Sequence, residues 1–321
     1  LSKYNLSSVL GLAESDEEFT ILNLGFRLDS NSEYGDNVTL RTSLIHDIGL
    51  WNFKLLYGNA IQNPCNRLVY AGWGPNQSST DVSPEKAETV EGSIAYKTEA
   101  SNHILSLYHV SITDKMVNNS LGAHNIGTGT VVGADLHTKY KFNPSPSFID
   151  KLKLTGYISY IYGEEDQYVV EDGSMVNQGV AEIGDLARWR ARGSVTSYFS
   201  PKWITSMFTT LAFRYVSDIN TVATNPIEKV SSYAVFDFIL GMENFIVDGM
   251  DFTFSITNLF NTVYFHPGIK TADAGNTPSY GTVTQDGVDY DVYQNVIDGE
   301  IYNSLLPQPG RLYTISAKFD F

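Results

Sequence analysis

The chain has 321 residues, 42% hydrophobic and 18% charged, with Lys+Arg 21 against Asp+Glu 36 and a formal net charge of −15. A surface of that sign repels nucleic-acid phosphates, which excludes nucleic acid as a partner class. No window reaches the run of about 20 apolar residues that a membrane helix needs. A mean hydropathy of −0.15 suits a soluble chain, or strands that carry an apolar face in alternate residues. The first residues lack the charged-then-apolar stretch of a signal peptide, so the mature protein begins here or the chain is a piece of something longer. Cys65 is the only cysteine and cannot form an internal disulfide.

Alternation predicts about twelve strands and no amphipathic helix. They fall near 18–29, 38–48, 51–60, 88–98, 102–116, 128–142, 151–163, 187–199, 203–217, 231–245, 250–260 and 311–321. In the first, Leu22, Leu24, Phe26 and Leu28 oppose Asn23, Gly25 and Arg27. In the third, Phe53, Leu55 and Tyr57 oppose Lys54, Leu56 and Gly58. The fifth, "HILSLYHVSI", can be phased either way. In the sixth, Val132, Ala134, Leu136, Tyr140 and Phe142 oppose Asp135, His137, Lys139 and Lys141. In the tenth, Ala234, Phe236, Phe238, Leu240 and Met242 oppose Asp237 and Glu243, and in the eleventh Phe252, Phe254 and Ile256 oppose Asp251, Thr253 and Ser255. The last strand alternates Tyr313, Ile315, Ala317, Phe319 and Phe321 against mostly polar partners.

Short turns ("DIGLW", "EASN", "NPSPSFIDK", "SPKW", "IVDGM") alternate with longer loops near 29–37, 61–87, 117–127, 164–186, 218–230 and 261–310. In an up-and-down sheet this places every short turn on one rim and every long loop on the other, as in outer-membrane barrels. A soluble sandwich also alternates, but its strands usually run about 5–6 residues. Many strands here have the about 9–11 residues of a tilted membrane span. Aromatics gather at strand ends, among them Phe142, Tyr160, Phe199, Trp203, Tyr215, Phe245 and Phe319, where an interfacial girdle would lie. The expected fold is all-β, an antiparallel up-and-down transmembrane β-barrel.

Five segments resemble one family. "DFTFSITNLFNTVYF" (251–265) followed by "PQPGRLYTISAKFDF" (307–321) resembles the final two strands of TonB-dependent receptors. "LRTSLIHDIGLWNFKLLYGNAIQNP" (40–64), "SPEKAETVEGSIAYK" (83–97), "EIGDLARWRARGSVTSYFSPKW" (182–203) and "FRYVSD" (213–218) resemble, in order, further stretches of that barrel. The resemblance implies a barrel of about 22 strands with an N-terminal plug. Residues 1–321 then read as the C-terminal portion of the barrel, with no plug domain in this sequence. It also implies a multi-pass β-barrel in the bacterial outer membrane, in contact with lipid and lipopolysaccharide. Its function would be energy-coupled uptake of a scarce bulky ligand, above all a ferric siderophore, driven by the TonB complex through an N-terminal part outside this sequence. Tyr313, Ile315, Phe319 and Phe321 would form the signal read by the barrel-insertion machinery. The alternative is a complete small outer-membrane pore or translocator without energy coupling.

Inward positions of such a wall include Arg27, Lys54, Asp135, His137, Lys139, Arg190, Arg192, Arg214 and Asp237. A buried charge must be paired or hydrated, so these would meet the plug or lumen water. Arg190 and Arg192 share a face and are the wall candidates for an anionic ligand. In the longest loop, Tyr280, Tyr290, Tyr293 and Tyr302 among acidic residues suit a chelate or sugar surface, against the plainer reading of a solvated acidic loop. His124 and His266 fall in predicted outer loops and are further ligand candidates. The haem variants of the family carry a histidine in the region that here reads "NAIQNPCNRLVYAGWGPNQSSTDVSPEK", which has none. "GEEDQYVVEDG" (163–173) has the oxygen density of a calcium site without EF-hand spacing and reads as a solvated loop. No nucleophile elbow, HExxH, phosphate-binding glycine motif or CxxC is present, so neither a cofactor nor an enzyme is expected.

Overall fold

The computed structural model describes residues 2–5, 18–70, 78–144, 148–201, 204–222, 225, 227–268, 278–285, 288–297, 300–303 and 305–319, with 2–5 and 278–303 described by backbone alone. The principal sheet contains β1 (Ser2–Asn5), β2 (Glu18–Asn31), β3 (Gly35–Ile48), β4 (Trp51–Gln62), β5 (Glu85–Lys97) and β6 (Ser101–Thr113). It continues with β9 (Gly129–Phe142), β10 (Lys151–Glu171), β11 (Ser174–Glu182), β12 (Trp189–Phe199), β13 (Ser206–Val216), β16 (Tyr233–Glu243), β17 (Met250–Thr257) and β23 (Leu312–Phe319). Among the described residues the connections hold β7 (Met116–Asn119), β8 (Gly122–Asn125), β14 (Ile219–Asn220), β15 (Lys229–Val230), β18 (Phe265–Pro267), β19 (Pro278–Gln285), β20 (Val288–Ile297), β21 (Glu300–Asn303) and β22 (Leu305–Pro307), with one short helix, α1 (Asn66–Tyr70).

Among the described residues the sheet runs β1-β2-β3-β4-β5-β6-β9-β10-β12-β13-β16-β17-β23, with β11 attached to β10. Consecutive strands of this sheet pair antiparallel, as in β2–β3, β3–β4, β4–β5, β12–β13 and β13–β16, the meander that the alternation of short turns and long loops implied. All twelve predicted strands are present. The chain divides into two compact units, one of residues 1–96, 104–134 and 161–183, the other of 97–103, 135–160 and 184–321.

Among the described residues the apolar face of the sheet is exposed. Phe26 is 78% exposed, Leu28 69%, Leu55 55%, Leu107 56% and Ile315 70%. A two-sheet sandwich would seal these side chains in a shared core. Six of the nine buried apolar residues among those described form two small clusters beneath connections: Val69, Val82 and Ala123 in the first unit, and Ala187, Ile219 and Val230 in the second. The fifth strand, ambiguous by period, turns Leu105 and Leu107 outward, 42% and 56% exposed.

Several predicted loops are ordered extensions. The 29–37 segment is a tight turn, because β2 and β3 stay paired as far as Asn31 opposite Gly35. The 117–127 loop is the hairpin β7–β8. The 164–186 loop is the extension of β10 paired with β11, closed at Asp172-Gly173, both with positive φ (49° and 70°). That backbone is the type I′ turn that an Asp-Gly pair favours. The stretch read as a solvated acidic loop is thus a strand, and alternation throws its carboxylates onto opposite faces. Glu165 pairs with Lys115, while Asp166 Oδ2 accepts from the Thr128 amide at 2.7 Å. No cation-binding cluster occurs among the described residues.

Glycines inside strands receive rings from the neighbouring strand. Gly193 pairs with Phe213 and Gly241 with Phe208, and each ring lies over the bare backbone. Such cross-strand packing of an aromatic on a glycine pins register.

Candidate functional site

The second unit concentrates inward charge on three adjacent strands. Register places Tyr157 of β10 opposite Arg192 of β12, and Arg192 opposite Arg214 of β13. In the next row Ser159 faces Arg190, which faces Val216. Period two therefore sets Arg190, Arg192 and Arg214 on one face, and all three side chains are exposed. Like charges directly opposite in a ladder repel, yet none of the three joins an ion pair among the described residues. Arg192 lies over the Tyr157 ring, its guanidinium carbon 4.8 Å from the centroid, and the Tyr157 hydroxyl donates to Asp135 Oδ1 at 2.9 Å. A cation on a ring face is held in place without being neutralised.

An aromatic group stands beside this row. Tyr233, the first residue of β16 and opposite Val216, packs on Tyr264 with ring centroids 4.4 Å apart. Its hydroxyl is 3.0 Å from His266 Nε2. Burial, and then the charge of Arg214, push His266 below the ordinary histidine value, so the ring is neutral at neutral pH. The segment that delivers Tyr264 and His266 is turned at Asn258 and Asn261, both with positive φ (53° and 54°). Asn258 is 1% exposed; its Nδ2 donates to the carbonyls of Thr262 (2.8 Å) and Pro309 (3.4 Å), and its Oδ1 accepts from the Thr262 amide (2.7 Å). The Asn258 amide in turn donates to Asp237 Oδ1 at 2.8 Å. "TNLFN" is therefore a hydrogen-bonded corner that aims the following residues at the arginine row.

Of the residues singled out by sequence, Asp135, Arg190, Arg192, Arg214 and His266 fall in this region. Tyr157, Tyr233 and Tyr264 join them through register and the corner, which local sequence does not display. His124 lies in the other unit, on β8, with its Nε2 buried and without a partner among the described residues. Register pairs Tyr280 with Tyr293, Tyr290 with Val283 and Tyr302 with Asn295 in the β19–β21 meander. On β23, Tyr313, Ile315 and Phe319 pair with Ile256, Phe254 and Met250. Phe321 and Trp203 lie outside the described residues.

An antiparallel meander with a hydrocarbon-like face and a charged face defines a wall of the outer-membrane β-barrel class. The family described as TonB dependent receptor-like, beta-barrel, matches residues 14–259. The chain belongs to this family of outer-membrane β-barrels. No curated protein sequence matches it. Among solved structures it is similar to the ferric yersiniabactin uptake receptor FyuA from Yersinia pestis, with TM-score 0.65 and 15% identity over 96% of this chain and 44% of that one. It is also similar to the ferric-catecholate import receptor Fiu from E. coli K12 (TM-score 0.63, 15% identity, 95% and 43%). The FrpB iron transporter from Neisseria meningitidis is a third (TM-score 0.61, 14% identity, 96% and 44%). At these identities the likeness is one of fold. The chain spans less than half the length of these receptors.

Proposed function

We propose that the protein is an outer-membrane receptor for TonB-coupled uptake of a bulky anionic ligand, above all a ferric siderophore. The observation that carries this reading is the directly opposed Arg192–Arg214 pair, which with Arg190 leaves three cations on one face without an ion pair among the described residues. Anionic groups of a chelate would satisfy these donors, and Tyr157, Tyr233 and Tyr264 would supply flat apolar contact. A barrel filled by a plug, and the TonB contact made through an N-terminal part, complete the proposal. The siderophore and iron receptors among the similar structures support the ligand class. The similar structures are uptake receptors and transporters, which supports transport as the activity.

The test is uptake by a deletion strain under iron limitation, complemented with the wild-type gene or with one carrying Arg190→Ser, Arg192→Ser and Arg214→Ser together. Wild type should restore uptake of at least one member of a siderophore panel, and the triple variant should lose it while remaining at wild-type level in the membrane. Equal uptake by both would refute the arginine site. Absence of uptake by wild type across the panel would favour a passive pore.

A further inference from the structure

We propose that the outward face of the first unit carries a seat for one acyl chain of a phospholipid, centred on Gly92. Gly92 lies within β5 between the outward Val90 and Ile94, which are 46% and 43% exposed. Register sets Leu55 opposite Gly92 and Leu44 opposite Leu55. Leu105 and Leu107 of β6 border the other side of a hollow of about 320 Å³, with His46 and Phe53 at one end.

The hollow differs from three ring-covered glycine positions in the sheet. A Cβ added at Gly133, Gly193 or Gly241 would meet the ring of Tyr108, Phe213 or Phe208 at 2.2, 2.6 and 2.2 Å. At those positions an aromatic from the neighbouring strand fills the space the missing side chain leaves. A Cβ at Gly92 meets nothing within 4 Å. Side chains around an empty notch forfeit dispersion contacts on that side, and a flexible hydrocarbon restores them.

The occupant follows from the surroundings. The notch is continuous with the exposed leucines of the face that this family's barrels turn to the bilayer. One residue row nearer the short turn at Gly49-Leu50, His46 Nδ1 is 3.0 Å from Thr20 Oγ1. In the row beyond, Trp51 and Tyr96 pack with centroids 4.7 Å apart. Amphipathic rings of this kind sit at headgroup level. A phospholipid whose headgroup rests at Trp51 and Tyr96 can therefore run one chain past His46 and Phe53 into the notch.

The experiment places the full-length receptor in nanodiscs containing a phospholipid with a mid-chain diazirine, followed by irradiation, digestion and mass spectrometry. Adducts should concentrate several-fold on peptides carrying Leu55 and Leu105–Leu107 over those carrying Leu211 or Phe238, which face the same way elsewhere in the sheet. Gly92→Phe should fill the notch and reduce those adducts several-fold while leaving labelling at Leu211 and the uptake of ligand unchanged. Even labelling of all outward peptides, or labelling indifferent to Gly92→Phe, would overturn the seat without touching the transport reading. Should Gly92→Phe fail to assemble, Leu107→Trp places a ring over the notch from the neighbouring strand, and the same two outcomes decide.

Discussion

The Tyr233 hydroxyl lies 3.0 Å from His266 Nε2, and Tyr264 packs against both rings, with centroids 4.4 Å from Tyr233 and 5.9 Å from His266. This contact ties the connection after β17 to the first residue of β16, beside Arg214. Its strength should depend on pH. His266 has its pKa lowered by burial and by Arg214, from an ordinary value of 6.5. The released segment therefore binds a proton more readily than the docked one, so docking is fully supported above the free value and weakens as pH falls through the docked value. Limited proteolysis of the 258–311 connection should accelerate between about pH 7.5 and about pH 5. The acceleration should vanish in His266→Asn. Identical rates at both pH values in the wild type would contradict the coupling.

Arg192 and Arg214 oppose one another across β12 and β13. Opposed like charges cost a few tenths of a kcal/mol to about 1 kcal/mol. Arg214→Ser should therefore leave the folded barrel as stable as wild type or slightly more so in urea unfolding from detergent, while ligand affinity falls at least several-fold. A loss of stability with affinity intact would reverse the assignment and make the arginine a structural group.

Phe208 covers Gly241, and a Cβ there would lie 2.2 Å from the ring. Gly241→Ala should destabilise the sheet by about 1–3 kcal/mol, the usual scale of overpacking. The change would be read as a lowered temperature of the heat-modifiable gel shift. Adding Phe208→Leu, which removes the ring, should recover much of the loss.

Asn258 holds the corner through three hydrogen bonds made by its side chain. Asn258→Ala removes these and leaves two carbonyls and an amide without their partner, at about 1–3 kcal/mol for each buried group. The positive φ of 53° adds to the cost, since alanine tolerates it less well than asparagine. The expected phenotype is a barrel that inserts normally, with faster proteolysis after residue 258 and reduced ligand binding. Unaltered cleavage would show that the corner is held from elsewhere.

Much of this was legible in the residues themselves. A strand alternates its side chains by covalent geometry, so Leu22, Leu24, Phe26 and Leu28 had to share a face, and Arg190 and Arg192 had to share another. Where both faces are apolar, as with Ile104, Leu105, Leu107 and Tyr108 in β6, period two cannot choose the outward set, and only packing against β5 decided it. The 164–186 stretch reads as polar loop because a hairpin standing beyond the apolar band needs no apolar face. Above all, tertiary structure decided which inward residues meet. Arg192 finds Tyr157 on one side and Arg214 on the other through strand register, and register is settled by hydrogen-bond pairing across chain segments and by the turns between them. His266 reaches Tyr233 because two asparagines in left-handed backbone turn the chain back over β16. Local sequence determines the direction of each side chain; which neighbours it faces depends on long-range pairing that no single segment encodes.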